Sequence, residues 1–226
     1  MRAIPNILSV FRLLAPILIM AIYLGMGRPF ADWLAFWIFA FAAITDFLDG
    51  FLARRFNIQS ALGRIVDPVA DKVLVLATGT ILIVGQASVT GLANPMVLVP
   101  FVLIIIREVS VSGLREVLAG RLVIPSTFLA KSKTALQLIA VGLMFFQPIF
   151  GFHISELTQG MDDLIFQGIM TGAIADEIGL RSTIAALRWL EVLIPVTMWI
   201  AAIVTWITGF DYFFKATKFL KGESAA

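Results

Sequence analysis

The chain has 226 residues, 60% of them hydrophobic and only 14% charged, with a mean hydropathy of +0.97. A soluble domain carries roughly a quarter charged residues, so the composition excludes an ordinary water-soluble globule and places the chain among membrane proteins. There is no cysteine and one histidine; disulfides, thiolate metal sites and histidine clusters are excluded, and any metal must be held by carboxylates, which favours a hard ion such as Mg²⁺ or Mn²⁺.

A spanning helix needs about 20 apolar residues. Six segments meet this, near 8–26, 32–53, 65–86, 95–118, 134–152 and 188–209. Backbone facing lipid must satisfy its own hydrogen bonds, so these segments are helices and the fold class is all-α, polytopic. No repeat or low-complexity tract divides the chain, so residues 1–226 are read as one membrane domain. The first apolar run holds Arg12, has no small-residue cleavage site and is followed by further spans, so it does not read as a removable signal peptide.

With both termini on one side, fourteen of the 17 Lys and Arg residues fall on that side, leaving Arg28, Arg181 and Arg188 on the other. The positive-inside rule makes the richer side, and both termini, cytoplasmic. Residues 153–187 then form an extracytoplasmic insertion, acidic at Asp162, Asp163, Asp176 and Glu177. Its apolar Leu164, Ile165, Ile169, Ile174 and Ile178 suggest an amphipathic stretch along the membrane surface. His153 has no polar cluster nearby in sequence and reads as a surface residue. Lys215, Lys218 and Lys221 are suited to anionic lipid headgroups, and no nucleic-acid partner is expected.

Charges in apolar segments are costly and mark function. The end of the second span reads TDFLDGFLARR, with Asp46, Asp49, Gly50, Ala53 and Arg54 on one helical face. The start of the third reads GRIVDPVADK, with Gly63, Asp67 and Asp71 four residues apart. A short loop makes the two helices antiparallel neighbours, so the acidic faces can meet. A lone aspartate at a helix end is commonly a solvated cap, and a small-residue face commonly serves helix packing. Four aspartates in register on two helices need neither explanation; they need neutralising charge. One or two divalent cations supply it, and two ions about 4 Å apart suit phosphoryl chemistry. Gly50 and Gly63 let a bulky ligand approach the backbone.

The stretch Asp46–Asp71 matches D-x2-D-G-x2-A-R-x8-G-x3-D-x3-D in full. This resembles the signature of the CDP-alcohol phosphotransferase family. The resemblance implies six helices around a cytoplasm-facing polar cavity, two Mg²⁺ or Mn²⁺ ions on Asp46, Asp49, Asp67 and Asp71, and Asp71 as general base. It also implies a CDP site at Asp49, Gly50, Ala53, Arg54, Gly63 and Asp67, and a homodimer in the bacterial inner membrane.

Between spans four and five the chain is basic, with Arg107, Arg115, Arg121, Lys131 and Lys133. Arginine and lysine bind phosphate oxygens, so Arg107, Arg115, Lys131 and Lys133 are candidates for an acceptor phosphate. Arg121 reads instead as a positive-inside residue, and Glu108 and Glu116 are expected to pair with neighbouring arginines. The runs SGLRE and KSKTALQ, and the opening IPNILSVFRLL, resemble the phosphatidylglycerophosphate synthase branch of the family. That opening spaces Asn6, Ser9 and Arg12 along one face of an N-terminal interfacial segment. The branch implies CDP-diacylglycerol as donor and sn-glycerol 3-phosphate as acceptor. The alternatives are phosphatidylglycerol, inositol phosphate or serine as acceptor, a metal-ion transporter, or a catalytically silent scaffold.

Overall fold

A computed structural model describes residues 3–56, 61–118 and 128–221; side chains of residues 3–6, 46–56, 61–65, 89–90, 128 and 130–131 lie outside the description. Among the described residues every element is a helix, joined to the next by turns, with no strand. In chain order the helices are α1 (Ala3–Gly25), α2 (Phe30–Phe56), α3 (Ala61–Thr90), α4 (Pro95–Val117), α5 (Phe128–Met144), α6 (Phe146–Thr158), α7 (Asp163–Thr171) and α8 (Leu180–Leu220).

Five stretches among the described residues are long and apolar enough to cross a membrane: Ile7–Gly25, Val66–Ser88, Pro95–Val117, Ser132–Thr158 and Leu180–Leu220. A shorter apolar stretch, Phe30–Thr45, opens α2. Their exposed surface is greasy, with Leu24, Trp37, Ile44, Val84, Val109 and Trp189 all more than half exposed. In water such a surface would drive aggregation; in a bilayer it is the solvated face. The protein is an all-α polytopic membrane protein.

Two compact units make up the chain: residues 1–82 with 142–194, and residues 83–141 with 195–226. In the first unit α1 packs along α2. Ala15 of α1 and Ala31, Ala35 and Ala42 of α2 are at most 1% exposed. Small side chains let two helix backbones approach closely, which is how helices hold together where lipid competes for apolar contact. Towards the start of α2 an aromatic cluster takes over: Phe36 lies 4.9 Å from Phe146, and Phe39 lies 5.4 Å from Phe145. The fully buried Asp32 lies 3.8 Å from the Arg28 guanidinium one turn earlier.

The fifth apolar segment is two helices, α5 and α6, parted at Phe145. Pro148 explains the break: it has no N–H for the carbonyl of Met144, and its ring clashes there. Helix α6 continues to Thr158, so the connection begins later than the sequence suggests. His153 is exposed on α6, as expected. Within the connection Asp162 caps α7 by accepting the Leu164 N–H at 2.8 Å, and Gly172 closes it with φ 84°. Next, the Asp176 carboxylate accepts the N–H groups of Leu180 and Arg181 at 2.9 and 2.8 Å. These are the first donors of α8, and capping them launches a helix of 41 residues. At 1.5 Å per residue α8 is about 60 Å long, twice a hydrocarbon core of about 30 Å. The basic end with Lys215 and Lys218 is therefore part of the last helix.

Candidate active site

In the first unit, α2 and α3 carry the aspartate pattern in helical register. The side chains of Asp46, Asp49, Gly50, Ala53, Arg54 and Gly63 lie outside the described ones; those of Asp67 and Asp71 do not. Asp67 and Asp71 stand one turn apart on α3, with side chains 45% and 31% exposed. Both are gripped by one residue of α1. Arg12 donates from Nη1 to Oδ1 of Asp71 at 2.7 Å, and from Nη2 towards Oδ1 of Asp67 at 3.4 Å. Ser9, one turn before it, donates its hydroxyl to the same Asp67 oxygen.

Arg12 is 1% exposed within an apolar helix. A guanidinium is expensive there unless paired. Its planar fork suits two acceptors at fixed spacing, which a lysine would not reproduce. Ser9 and Arg12 are thus on the body of α1, helical from Ala3, and together they contact both α3 carboxylates. The sequence places them on one face; their partners, 55 to 59 residues away, emerge only in the fold.

Asp67 and Asp71 do not by themselves make a group of three metal-ligating side chains, and among the described residues there is none. The donor chemistry fits a hard divalent cation: the described acceptors are carboxylate oxygens, and Arg12 sets one positive charge against two negative ones. Asp46 and Asp49 are the residues that would complete such a set.

In the second unit the basic residues form a network about one carboxylate. Glu108 of α4 is 4% exposed. It accepts from Arg107 Nη1 at 3.1 Å and from Lys133 Nζ of α5 at hydrogen-bond distance, with Gln137 Nε2 at 3.4 Å. Arg107, 6% exposed, also donates Nη2 to the Thr208 hydroxyl of α8 at 2.9 Å. Gln137 donates to the Thr205 hydroxyl at 2.9 Å. Arg115, two turns after Arg107, is exposed, and its guanidinium carbon stands 5.6 Å above the Tyr212 ring. That is a cation–π distance.

The structure therefore brings Arg107 and Lys133 together on Glu108 and holds Arg115 beside α8. The Lys131 side chain and Arg121 lie outside the described residues. The expected pairing of Glu108 is present; Glu116 is exposed and makes no ion pair among the described residues. The α8 residues Thr205, Thr208, Gly209 and Tyr212, and Gln137 of α5, are functional candidates that the sequence reading passed over. Their signal is a polar face, spaced three and four residues apart, inside an apolar span.

The profile of the CDP-alcohol phosphatidyltransferase family matches residues 2–162. A CDP-diacylglycerol–glycerol-3-phosphate 3-phosphatidyltransferase of Cereibacter sphaeroides is 39% identical over 225 residues, covering 98% of each chain. One of the same name from Rickettsia bellii is 32% identical over 217 residues, covering 95% of each. A probable phosphatidylglycerophosphate synthase of Mycobacterium tuberculosis is 36% identical over 187 residues, covering 79% of this chain and 85% of the relative. The profile spans the aspartate helices, and full-length relatives carry the likeness on to the C-terminal helix: the chain belongs to the CDP-alcohol phosphatidyltransferase family.

Proposed function

We propose that the chain transfers the phosphatidyl group of CDP-diacylglycerol to sn-glycerol 3-phosphate, releasing CMP and forming phosphatidylglycerol phosphate. The observation that carries this reading is the complete aspartate pattern on α2 and α3, two of whose members Arg12 and Ser9 hold in place. Likeness over nearly the whole chain to relatives bearing that reaction's name supports the choice of acceptor.

Asp46, Asp49, Asp67 and Asp71 would hold one or two Mg²⁺ or Mn²⁺ ions, which supply positive charge to the diphosphate oxygens. Asp49, Gly50, Ala53, Arg54, Gly63 and Asp67 hold the CDP moiety, the glycines leaving room for it. Asp71 takes the proton of the acceptor's 1-hydroxyl. That oxygen forms a bond to the phosphorus bearing diacylglycerol, the bond from phosphorus to the CMP oxygen breaks, and CMP leaves with the electron pair. Arg12 orients the Asp71 carboxylate for this step. Arg107, Arg115, Lys131 and Lys133 receive the acceptor phosphate. The enzyme works as a homodimer in the bacterial inner membrane, both termini cytoplasmic.

Equilibrium binding of CMP to the purified protein in detergent tests the donor side of this reading. Saturable binding with Mg²⁺ that EDTA abolishes is the expected result. Absence of binding by folded protein would point to an ion path or a scaffold.

A further inference from the structure

The last helix carries no acid or base from Pro195 to Phe210, yet one of its faces is polar. Thr205, Thr208, Gly209 and Tyr212 fall within about 100° of arc at 3.6 residues per turn. Three of them touch the two arginines of α4. Thr208 gives its own proton to the carbonyls of Val204 and Thr205, at 3.0 and 2.9 Å, so its oxygen is turned to accept from Arg107. Gly209 makes room: a Cβ there would stand 2.7 Å from Arg107 Nε and 3.0 Å from its Cγ. Tyr212, 7% exposed, lies beneath the Arg115 guanidinium. Thr205, fully buried, anchors Gln137, which leans on Glu108.

The Nε–H of Arg107 is buried and has no hydrogen-bond partner among the described residues. It faces Gly209, the one position on this face without a side chain. A buried donor left unmet is costly, so the guanidinium is held here by the room that Gly209 leaves and by its Glu108 and Thr208 partners rather than by a bond at Nε. We infer that the α8 face is the positioning wall of the acceptor-phosphate site. Thr208 and Gly209 set the guanidinium of Arg107, and Tyr212 sets that of Arg115, in the geometry that selects a phosphorylated acceptor. This rests on the acceptor reading above and extends it to residues beyond the family match, which ends at residue 162.

The test uses the full-length protein in lipid–detergent micelles, as wild type, Gly209→Ala, Thr208→Val, Thr208→Ser and Tyr212→Leu. Two quantities are read: steady-state kinetics for both substrates, and binding of inorganic phosphate by calorimetry with CMP and Mg²⁺ present. Gly209→Ala and Thr208→Val are expected to raise the KM for glycerol 3-phosphate about tenfold, the scale of a lost hydrogen bond to a charged group. They are expected to weaken phosphate binding in parallel. The KM for CDP-diacylglycerol and CMP affinity stay within about twofold, and Thr208→Ser recovers most of the loss. An unchanged acceptor KM in both variants overturns the wall, and so does an equal rise for both substrates, which is the mark of a general structural fault. If the wild type gives no transfer to glycerol 3-phosphate, the acceptor reading fails by itself. Phosphate binding that weakens in the variants would then still uphold the wall, and phosphate binding that does not would remove both.

Discussion

The two charged clusters are built on the same plan with the signs exchanged. In the carboxylate cluster one cation, Arg12, sits between Asp67 and Asp71. In the basic cluster one anion, Glu108, sits between Arg107 and Lys133. In each, the minority charge is deeply buried, its side chain 1% exposed for Arg12 and 6% for Glu108. The difference lies in the majority charges. Asp67 and Asp71 keep a third to a half of their side chains exposed, whereas Arg107 and Lys133 keep 6% and 14%. Exposed carboxylates oriented from behind suit incoming cations and a reacting hydroxyl. Cations locked into a buried network suit recognition of one anion in one pose, since little reorganisation is needed when it arrives.

Substitutions separate these roles. The largest expected effect is that of Asp71→Asn, which keeps the shape and removes the proposed proton acceptor. Turnover should fall by about 10²–10⁴-fold, the usual share of a general base, while CMP still binds; near-normal turnover would remove Asp71 from that role. Next comes Glu108→Gln, which leaves two cations facing each other in a buried setting. Breaking a buried ion pair from one side costs about 3–5 kcal/mol. Unfolding in denaturing detergent should shift accordingly, and an unchanged midpoint would show that the basic cluster does not depend on its central anion. Third, Arg12→Met tests whether the minority cation orients or merely competes. Loss of an orienting partner weakens metal binding by about 10–100-fold, readable as free Mn²⁺ by electron paramagnetic resonance. Tighter Mn²⁺ binding would show that Arg12 is a rival of the metal.

The smallest effect lies away from both clusters. Backbone N–H groups, that of Arg181 foremost, hold the Asp176 carboxyl below the ordinary carboxylate range. A carboxyl held low in the folded state stabilises it above the unfolded value of about 3.9, and that contribution fades as pH falls through the lower folded value. Asp176→Asn should therefore lower the thermal midpoint slightly at neutral pH, and the gap to wild type should close in acid. A gap independent of pH would remove the charge from the account of the α8 cap.

How much of this was legible in the chain differs between the clusters. The aspartate pattern is local, because helical spacing alone puts Asp46 with Asp49 and Asp67 with Asp71 on shared faces, so its chemistry could be read before any fold was known. What could not be read was Arg12 as their partner, since that pairing joins α1 to α3. In the basic cluster the cations were visible but their company was not. Thr205, Thr208 and Gly209 barely disturb the hydropathy of α8, so the sequence shows only an apolar span there. Helix ends were misjudged for a related reason. Hydropathy sees the apolar centre of α8 near 188–209, but the helix runs from Leu180 to Leu220, capped at one end by Asp176. At the other end the Asp211–Lys215 pair supports it at 2.7 Å.

The most direct measurement is transfer by the purified protein from CDP-diacylglycerol to labelled glycerol 3-phosphate with Mg²⁺. EDTA, and serine, inositol phosphate and phosphatidylglycerol as acceptors, run alongside. The account predicts phosphatidylglycerol phosphate as product, abolished by EDTA and not matched with any other acceptor. Product with another acceptor alone would contradict the reading of the basic cluster and leave the aspartates standing, and no transfer to any acceptor by folded protein would contradict the central claim.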